Sequence, residues 1–355
     1  MKTKTPPTIS IIIPAYNAEK TVTTAVQSLL AQTFTDFEAI IIEDGSTDQT
    51  RAILKELEAS EPRIKVVYKD TNEGLSAGRN SGMERARGTY IGFLDADDWM
   101  EADLLEQIYQ QGIRKDADLI LCGYSHDTMD PQRTQVKISR QVTMPSSFLV
   151  EKQEIVRYAA HCDTHKMFAY TWNKFYRRSL IEKGQLKFSS QTLIEDFLFN
   201  CQFWEQISRL SIVDTTKYHY VKASSEALTQ KFLSDYYEIM ELRYQAIRNL
   251  AVSHSVFQDE IREQICSIFI KHLIAGMARD CSPKSGYSIK IRRNRIRKLL
   301  KTPSVRECRT WAKASNRQER LCNFVFKSNS VLLNLLTASL LYRMQTRSNA
   351  FDRLK

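Results

Sequence analysis

The sequence predicts an α/β protein with a doubly wound, mostly parallel sheet, followed by a helical C-terminal region. Short apolar runs that resemble buried strands alternate with amphipathic segments through residues 1–124. This alternation is typical of strands joined by crossover helices in a parallel sheet. From about residue 232 onward, the apolar positions follow helical spacing instead.

The elements of the first half follow one another closely. Pro14 is expected to end the first strand, because proline lacks the N–H that a strand ladder needs. The predicted strands lie at 9–13, 38–43, 64–68, 89–94 and 117–124. The predicted helices lie at 19–32, around 53–57, at 76–87 and around 104–108.

The pattern changes in the second half, and this places a domain boundary near residue 230. Residues 125–150 show no clear period and predict a loop or a short hairpin. Residues 209–221 predict short strands. We therefore expect an α/β domain at 1–230 and a helical region at 231–355, a size that suits two domains.

Charge is distributed unevenly along the chain. Residues 284–355 contain 18 Lys and Arg against 3 acidic residues, a net charge of +15. The remainder holds 33 of the 51 basic and 38 of the 41 acidic residues, a net charge of −5. A basic tail on an acidic body predicts an anionic partner, either a membrane surface or nucleic acid.

Two segments of the tail bear on that choice. Residues 288–301 interleave Ile and Leu with Lys and Arg, as in basic helices that bind anionic lipid, although a solvated face packed on the α/β domain is the alternative. Nucleic acid is disfavoured because no recognised nucleic-acid module accompanies the charge. The apolar segment 324–342 contains Lys327, Asn329 and Asn334, so it predicts a packed or interfacial helix rather than a spanning one.

Cysteine usage points to a reducing compartment. Seven cysteines are scattered along the chain without a CxxC pair, which favours buried or idle thiols over disulfides or a zinc site. The N-terminus runs directly into a strand pattern, without a segment that resembles a signal peptide. We therefore expect a cytoplasmic protein.

Two acidic clusters directly follow apolar strands. Glu43 and Asp44 follow the second strand, and Asp95, Asp97 and Asp98 follow the fourth. Ligands of open α/β sheets bind beyond the carboxyl ends of the strands. Residues i and i+2 of a strand project to the same side, so Asp95 and Asp97 are expected to hold a metal–diphosphate unit, whereas Asp98 is expected to cap the next helix.

Other residues at this edge predict a nucleotide site. Tyr16, just beyond Pro14, offers a ring on which a base can stack, although an ordinary strand-ending turn is the alternative. Asp44 offers an acceptor for a nucleobase N–H, with helix capping as the alternative. Arg79 lies among glycines and offers a fork for phosphate, with a surface salt bridge as the alternative.

Together these motifs resemble the catalytic domain of glycosyltransferase family 2, which has the nucleotide-diphospho-sugar transferase (GT-A) fold. The resemblance covers the run from Ile9 to Cys122 at high specificity. The family usually opens its second motif with two aspartates, whereas this chain has Glu43 before Asp44. The matching segments, in family order, are 11–17, 43–48, 74–80 and 93–98.

The resemblance implies roles on the donor side. It makes residues 1–124 the nucleotide-sugar-binding half and residues 125–230 the acceptor half of a catalytic domain. The implied donor contacts are Pro14, Tyr16 and Asp44 for a uridine-type base, Arg79 for the nucleotide, and Asp95 for the ribose and sugar. Asp97 is implied as the ligand of Mn²⁺ or Mg²⁺.

The resemblance continues to about residue 230 and there points to bacterial polysaccharide enzymes. Segments 170–176 and 194–199 resemble the acceptor-side half of those enzymes. This implies Asp196 as the general base that takes the proton of the acceptor hydroxyl, with Glu195 orienting it or raising its proton affinity. An acidic helix N-terminus in solvent is the alternative for the pair.

Three further residues are expected near the reaction centre. Trp172 and Asn173 are expected to line the acceptor site, although a core position is at least as frequent for a Trp. His219 lies where a second metal ligand sometimes occurs in this fold, although a lone His between aromatic residues is more often packed.

The sequence thus predicts a metal-dependent, inverting hexosyl- or hexosaminyltransferase. The expected donor is a UDP-sugar, and the expected acceptor is a lipid-linked or saccharide intermediate of a bacterial surface polysaccharide. We expect the enzyme on the inner face of the membrane, bound peripherally, and an oligomer is compatible with the sequence. The alternatives are a nucleotidyltransferase of related fold, which segments 172–174 and 195–196 oppose, and a non-catalytic membrane-associated scaffold, which the retained Asp97 and Asp196 oppose.

Overall fold

The computed structural model describes residues 5–129, 136–191, 193–222, 232–314 and 317–347 of the 355-residue chain. The chain divides into two compact units, Met1–Ala227 and Leu228–Lys355. The boundary between the two units falls after residue 227, whereas the sequence analysis expected a boundary after residue 230.

The first unit contains strands and helices in alternation. Its strands are β1 (Ile9–Ala15), β2 (Phe37–Glu43), β3 (Ile64–Tyr68), β4 (Tyr90–Phe93), β5 (Trp99–Met100), β6 (Leu119–Cys122), β7 (Tyr124–Met129), β8 (Val136–Val142), β9 (Ser147–Leu149), β10 (Lys174–Arg177), β11 (Leu210–Val213) and β12 (Tyr218–Lys222). Its helices are α1 (Val22–Leu30), α2 (Thr50–Ser60), α3 (Leu75–Arg85), α4 (Leu104–Gln111), α5 (Lys152–Thr164), α6 (Arg178–Lys183) and α7 (Glu195–Gln206).

An eight-stranded sheet forms the centre of this unit, in the order β3-β2-β1-β4-β10-β6-β11-β9. The strands from β3 to β4 run parallel to one another, as do β6 and β11. β10 and β9 run antiparallel to their neighbours. The predicted α/β fold with a mostly parallel sheet is confirmed.

β1 extends farther than the sequence analysis expected. It continues through Pro14 to Ala15, and Pro14 pairs with Ile42 of β2. On its other side, the pairing of β1 with β4 already ends at Ile12 and Phe93. Pro14 therefore lies beyond the last pair on that side, where its missing N–H leaves no gap in the ladder.

A second, four-stranded sheet has the order β5-β12-β7-β8. β7 and β8 pair in antiparallel fashion, so segment 125–150 contains paired strands where no period was visible. β11 and β12 are the short strands predicted at 209–221. All seven cysteines are buried and free of disulfides, as expected for idle thiols.

The second unit is helical. On α13, Ala338 and Leu341 are buried, and Leu341 packs with Ala278 and Cys322 in one apolar cluster. None of the described helices is both long enough and apolar enough to cross a membrane. The helices are α8 (Tyr236–Ser253), α9 (Asp259–Asp280), α10 (Ile289–Leu299), α11 (Pro303–Trp311), α12 (Arg317–Lys327) and α13 (Val331–Arg347).

Candidate active site

The carboxyl ends of β1, β2, β3 and β4 lie at one edge of the central sheet, because these strands are parallel. The segments that follow them carry most of the predicted site residues. Ligands of open α/β sheets bind at this edge. The topology therefore collects at one place the motifs that the sequence spreads over residues 14–98.

The segments after β1 and β2 are joined by hydrogen bonds from backbone N–H groups to side-chain oxygens. The N–H of Asn17 donates to Ser46 Oγ over 3.1 Å, and the N–H of Thr47 donates to Asn17 Oδ1 over 2.9 Å. Asn17 has φ of 49°, a left-handed conformation that Asn tolerates better than most residues. This turn leaves the neighbouring Tyr16 ring 47% exposed and free to contact a ligand.

Asp44 joins the segments after β2 and β3. Its buried carboxylate accepts hydrogen bonds from the N–H of Glu73 over 3.2 Å and of Gly74 over 2.8 Å. Lys69 Nζ lies 3.2 Å from Asp44 Oδ1 and balances the charge. The structure thus gives Asp44 a part in holding these segments together, and its contact with a nucleobase stays a prediction.

Glu43, which replaces the usual first aspartate of this motif, is fully buried. One carboxylate oxygen accepts the N–H of Ser46 over 2.6 Å, and the other accepts Arg51 Nε over 2.6 Å. A buried carboxylate needs such partners, because leaving it unpaired costs several kcal/mol. Glu43 therefore fixes the turn that presents Asp44.

Asp95, Asp97 and Asp98 lie in a turn after β4 rather than on the strand itself, and this turn is here called the aspartate turn. β4 ends at Phe93, and the N–H of Asp98 donates to the carbonyl oxygen of Asp95 over 3.0 Å. The alternation of strand side chains thus does not explain the proximity of Asp95 and Asp97, and that part of the sequence argument was wrong. The turn still brings their charges together. Although Asp97 is exposed on one side, the surrounding protein and the charge of Asp95 raise its pKa to about 6.

Asp98 does not cap a helix, contrary to the sequence expectation. It is buried, and its two oxygens accept hydrogen bonds from the Tyr218 hydroxyl over 2.7 Å and from the N–H of Val221 over 2.8 Å. The Tyr218 oxygen in turn accepts the N–H of Asp95 over 3.3 Å. Burial and the neighbouring Asp97 and Asp95 raise the pKa of Asp98. Residues of β12, which lies far along the sequence from the motifs of the first half, therefore hold the aspartate turn in place.

Arg79 of α3 connects the segment after β4 with the first turn of α7. Its side chain is buried, with Nη1 2.5 Å from Asp196 Oδ1 and Nη2 3.1 Å from Asp95 Oδ1. Glu195 Oε1 lies 4.0 Å from the same Nη1. Burial alone would lower the pKa of Arg79, but the charges of Asp196, Asp95 and Glu195 outweigh it and raise the pKa. Arg79 thus does not form a surface salt bridge, and its guanidinium is already paired with carboxylates rather than free to bind a phosphate.

Asp196 lies in the first turn of α7, where the helix dipole favours acidic residues. Burial raises its pKa to about 6, with Arg79 opposing the shift and Glu195 and Asp95 adding to it. Its second oxygen accepts the Thr171 hydroxyl over 3.2 Å. A carboxylate with a raised pKa that is still ionised at neutral pH suits the work of a general base.

Glu195 has a carboxylate oxygen that is buried without a hydrogen-bond partner among the described residues. Such orphaned acceptors are uncommon in proteins and are concentrated at functional sites. Two residues earlier, Leu193 has φ of 79°, a conformation that a leucine rarely adopts. The entry to α7 is therefore strained next to the two carboxylates, as is frequent at active sites.

Trp172 and Asn173 are core residues in the structure, and the acceptor role expected for them is corrected. Trp172 is buried and stacks on Tyr218 with ring centroids 4.5 Å apart. Asn173 is fully buried, and its amide donates to the carbonyl oxygens of Cys122 and Met167 over 3.2 and 3.3 Å. Neither side chain is available to an incoming acceptor.

His219 is packed rather than free to bind a metal. Its Nδ1 lies 2.9 Å from Asp127 Oδ2, its Nε2 lies 3.2 Å from Glu101 Oε1, and its ring stacks on Trp99 at 3.7 Å. Successive residues of a strand point to opposite faces, so His219 points away from the face on which Tyr218 meets the aspartate turn. The ligand role expected for His219 is therefore not supported by this geometry.

The residues around Asp97 fit a cation that is shared with a substrate. Among the described residues, no three His, Cys, Asp or Glu side chains form a set that could hold a metal ion alone. Mg²⁺, however, commonly binds one or two carboxylates together with substrate phosphates. No side chain of another described residue donates a hydrogen bond to the Asp97 carboxylate, and burial together with the charge of Asp95 raises its pKa.

Comparison with known proteins identifies the first unit. Residues 10–184 match the family described as Glycosyl transferase family 2. The first unit belongs to glycosyltransferase family 2. The resemblance inferred from the motifs is thereby confirmed, and the chain is a glycosyltransferase.

Two relatives illustrate the similarity in sequence. The uncharacterized glycosyltransferase EpsJ of Bacillus subtilis (strain 168) is 28% identical over 305 residues, which cover 85% of this chain and 86% of EpsJ. Chondroitin synthase of Escherichia coli is 37% identical over 171 residues, which cover 47% of this chain and 23% of that enzyme. The glycosyltransferase therefore shares most of its length with EpsJ and less than half of it with chondroitin synthase.

Among solved structures, S. aureus TarS 1–349 in complex with UDP-GlcNAc has a similar fold. Its TM-score is 0.63 at 21% identity, and the match covers 95% of this chain and 92% of that chain. At this level of identity the likeness concerns the fold alone, and it agrees with the GT-A architecture expected from the motifs.

Proposed function

We propose that this glycosyltransferase is an inverting enzyme that transfers a sugar from a nucleoside diphospho-sugar to a hydroxyl group of a saccharide. The observation that carries the proposal is the contact of Arg79 with both Asp95 and Asp196. One guanidinium joins the aspartate motif of the donor side to the candidate base of the acceptor side. Such proximity is needed when an acceptor oxygen attacks the sugar carbon that bears the diphosphate.

Asp196 is proposed as the general base. In an inverting transfer, the acceptor hydroxyl attacks from the face opposite the leaving diphosphate and gives its proton to a positioned carboxylate. Arg79 and Thr171 hold the two oxygens of Asp196, so the carboxylate has a fixed orientation. Glu195 is proposed as a positioning residue whose negative charge helps to raise the pKa of Asp196.

Asp97 is proposed to hold Mn²⁺ or Mg²⁺. When bound, the ion would offset the negative charge that develops on the departing diphosphate. Asp95, fixed by Arg79, would contact the ribose and the donor sugar. Pro14, Tyr16 and Asp44 would hold the base, and the exposed Tyr16 ring is free for stacking.

A UDP-sugar is the proposed donor. TarS, which shares the fold, has been solved in complex with UDP-GlcNAc and with UDP. Fold likeness does not select the sugar, so hexosyl and hexosaminyl donors are both included. The role in synthesis of a bacterial surface polysaccharide is proposed because chondroitin synthase, named for the polysaccharide chondroitin, shares 37% identity over the matched residues.

We propose that Tyr170 and Tyr220 take the acceptor role that the buried Trp172 and Asn173 cannot take. Both tyrosines are half-buried, with ring centroids 6.2 Å apart. Burial and the charge of Asp196 both raise the pKa of Tyr170, which supports a position of its ring near the candidate base. Aromatic rings present apolar faces with a polar tip, which suits a sugar ring. The acceptor would be lipid-linked or a saccharide, met at the inner face of a membrane.

Donor binding tests the proposal directly. The full chain would be heated with Mn²⁺ and each of a set of UDP-sugars, because a ligand that binds only the folded state raises its apparent stability. We expect one UDP-sugar to raise the midpoint more than the free sugar or GDP-sugars, and only when Mn²⁺ or Mg²⁺ is present. The stabilising sugar would then be assayed for transfer by release of UDP. Equal stabilisation by all nucleotides, or by none, would contradict the proposed donor.

A further inference from the structure

Helix α13 is apolar on two sides, and only one of them is covered. A helix that is apolar all round normally lies inside a protein or a membrane. On the covered side, the buried residues are Asn334, Leu335, Ala338 and Leu341. The exposed side, here called the outer face of α13, consists of Leu332, Leu333, Leu336, Leu340 and Met344.

The outer face of α13 has the geometry of a continuous stripe. Leu332, Leu336 and Leu340 are spaced four residues apart and therefore lie one above the other on the helix. They are 62%, 57% and 56% exposed. Leucines in such a row leave a contiguous apolar surface in water, and surfaces of this kind mark binding sites on soluble proteins.

The preceding helix α12 adds two exposed apolar side chains. Phe324 is 72% exposed and Leu321 is also exposed. Arg320 and Lys327, one helical turn to either side of Phe324, are exposed as well. α12 thus places an aromatic side chain between cations, next to the turn that leads into α13.

The charges around this surface identify the partner. α10 packs against α13 and exposes Lys290, Arg293, Arg297 and Lys298. Helices α10, α12 and α13 together contain 11 Lys and Arg and a single acidic residue, Glu319. Glu319 is buried and pairs with Lys271 over 2.9 Å, so it does not offset the exposed cations. The surface combines exposed leucines with an excess of basic over acidic side chains.

We propose that the outer face of α13, with Leu321 and Phe324 of α12, inserts into the interfacial layer of an anionic lipid membrane. Helices that lie in the plane of a membrane bury their apolar face at the boundary of headgroups and acyl chains. Basic residues nearby are attracted to the anionic headgroups. α10 supplies these residues, and α13 supplies the apolar contact.

The same observations disfavour two other partners. A second copy of this chain would bring an equally cation-rich surface against the first, and like charges at an interface oppose association. A nucleic acid would match the positive charge but would leave the leucine stripe of α13 exposed to water. Anionic lipid alone matches both the charge and the apolar row.

The inference changes the expectation from sequence in one respect. Segment 288–301 was expected either to contact lipid or to form a solvated face packed on the α/β domain, and in the structure α10 buries Ile296 and Leu299. Segment 324–342 was expected to be either packed or interfacial, and α13 has one face of each kind. The residues proposed to insert into the membrane therefore lie on α12 and α13, and the basic residues of α10 are proposed to attract the anionic headgroups.

Flotation with lipid vesicles tests the proposal on the full chain, without donor or acceptor. Vesicles of phosphatidylcholine would be compared with vesicles that also contain phosphatidylglycerol. The test variant is Leu336→Gln/Leu340→Gln, which removes apolar surface without changing the net charge. The matched control is Leu242→Gln/Val252→Gln, at two exposed apolar residues of α8 in the same unit. Circular dichroism and thermal midpoints would verify that both variants fold.

We expect the wild type and the α8 control to float with the anionic vesicles and only weakly with neutral ones. The α13 variant should bind the anionic vesicles about tenfold less tightly, because two leucines no longer enter the apolar layer. Equal binding of the two variants, or no binding by the wild type, would overturn the proposal. So would a wild type that is dimeric in solution and becomes monomeric in the α13 variant, since that assigns the surface to a second copy. Glycosyl transfer plays no part in this measurement, so its result is independent of the proposed reaction.

Discussion

Arg79 and Asp196 lie 117 positions apart in the sequence, yet Nη1 of the arginine is 2.5 Å from Oδ1 of the aspartate. The same guanidinium contacts Asp95 over 3.1 Å. The segment after β4 and the start of α7 therefore share one buried cation. Because removing one partner of a buried ion pair is strongly destabilising, we expect a substitution of Arg79 itself to disturb both Asp95 and Asp196.

The first prediction concerns the base. Asp196→Asn should lower kcat by a factor of about 10² or more, because the amide cannot accept the proton of the acceptor hydroxyl. Donor affinity, measured by calorimetry with UDP-sugar and Mn²⁺, should change little. Glu195→Gln serves as the control, since it is proposed to tune Asp196 rather than to react, and it should cost less activity. Near-normal turnover of Asp196→Asn would remove this residue as the base.

The pH dependence of activity follows from the raised pKa of Asp196. The carboxylate must be ionised to act as a base, so kcat/KM should rise with pH through an apparent pKa of about 6. An unperturbed carboxylate would instead give a profile already flat at about pH 5. Initial rates from about pH 4.5 to about pH 8 at saturating Mn²⁺ would measure this profile. A profile without a rise in that interval would contradict the assignment.

The same shift predicts how stability changes with pH. The pKa of Asp196 rises from 3.8 to about 6 on folding, so the folded state binds more protons than the unfolded state between these values. Its contribution to the free energy of unfolding should therefore fall as pH rises from about 4 to about 6. Asp196→Asn lacks this contribution. In urea unfolding, the difference between wild type and variant should change by up to about 3 kcal/mol over that interval.

The metal role of Asp97 predicts a specific loss. Asp97→Ala should abolish the Mn²⁺ dependence of UDP-sugar binding, because the carboxylate that is proposed to hold the ion is gone. Asp70→Ala is a suitable control, since Asp70 is an exposed aspartate in the segment after β3. Calorimetric titrations with and without EDTA would compare the two variants. Unchanged heats for Asp97→Ala would refute the role.

Gly45 tests whether the turn after β2 is needed for donor binding. Gly45 has φ of 69°, and a Cβ there would lie 2.6 Å from the backbone carbon of Thr71. Gly45→Ala should therefore destabilise the protein by about 1–3 kcal/mol and weaken UDP-sugar binding. Gly286 has φ of 64°, but a Cβ there would meet no described atom within 4 Å, so Gly286→Ala should cost only about 1 kcal/mol. Equal losses in urea unfolding would show that φ alone, and not the contact with Thr71, sets the cost.

Tyr218 is predicted to act through the aspartate turn. Tyr218→Phe removes the hydroxyl that donates to Asp98, and should cost about 1 kcal/mol of stability. It should also raise the KM for the donor, because the N–H of Asp95 loses its acceptor. Tyr90→Phe is the control, because it also removes a buried tyrosine hydroxyl, one that donates to the carbonyl oxygen of Ala117, and it should leave the donor KM unchanged. A shift in acceptor KM alone for Tyr218→Phe would place it outside the donor side.

Much of the fold and the donor side follows from local pattern. Buried runs of Ile in β1 and β2 predict central parallel strands. Because parallel strands end at one edge of the sheet, Asp44 and Asp95 are expected at the same edge. The boundaries of β3 at 64–68 agree with the sequence prediction. The local geometry of the aspartate turn could not be predicted, because a turn and a strand end have similar composition.

The contacts of Asp98, Trp172 and His219 depend on tertiary packing that the sequence pattern does not carry. The hydrogen-bond partners of Asp98 lie on β12, 120 or more positions later in the sequence. No local sequence signal near Asp98 predicts these partners. Trp172 and Asn173 were assigned by resemblance, but burial in the core is decided by tertiary packing. A signal did exist for His219. Strand alternation in 218–220 places Tyr218 and His219 on opposite faces, so only one of them can face the aspartates.

The pairing of Glu43 with Arg51 has a consequence for related chains. An aspartate at position 43 would be one methylene shorter and would not span the same gap to Nε of Arg51. Relatives that carry the usual aspartate should therefore have lost arginine at position 51 or have moved it, so that the two positions vary together in an alignment of the family. Independent variation of these two positions would mean that the turn is held in some other way.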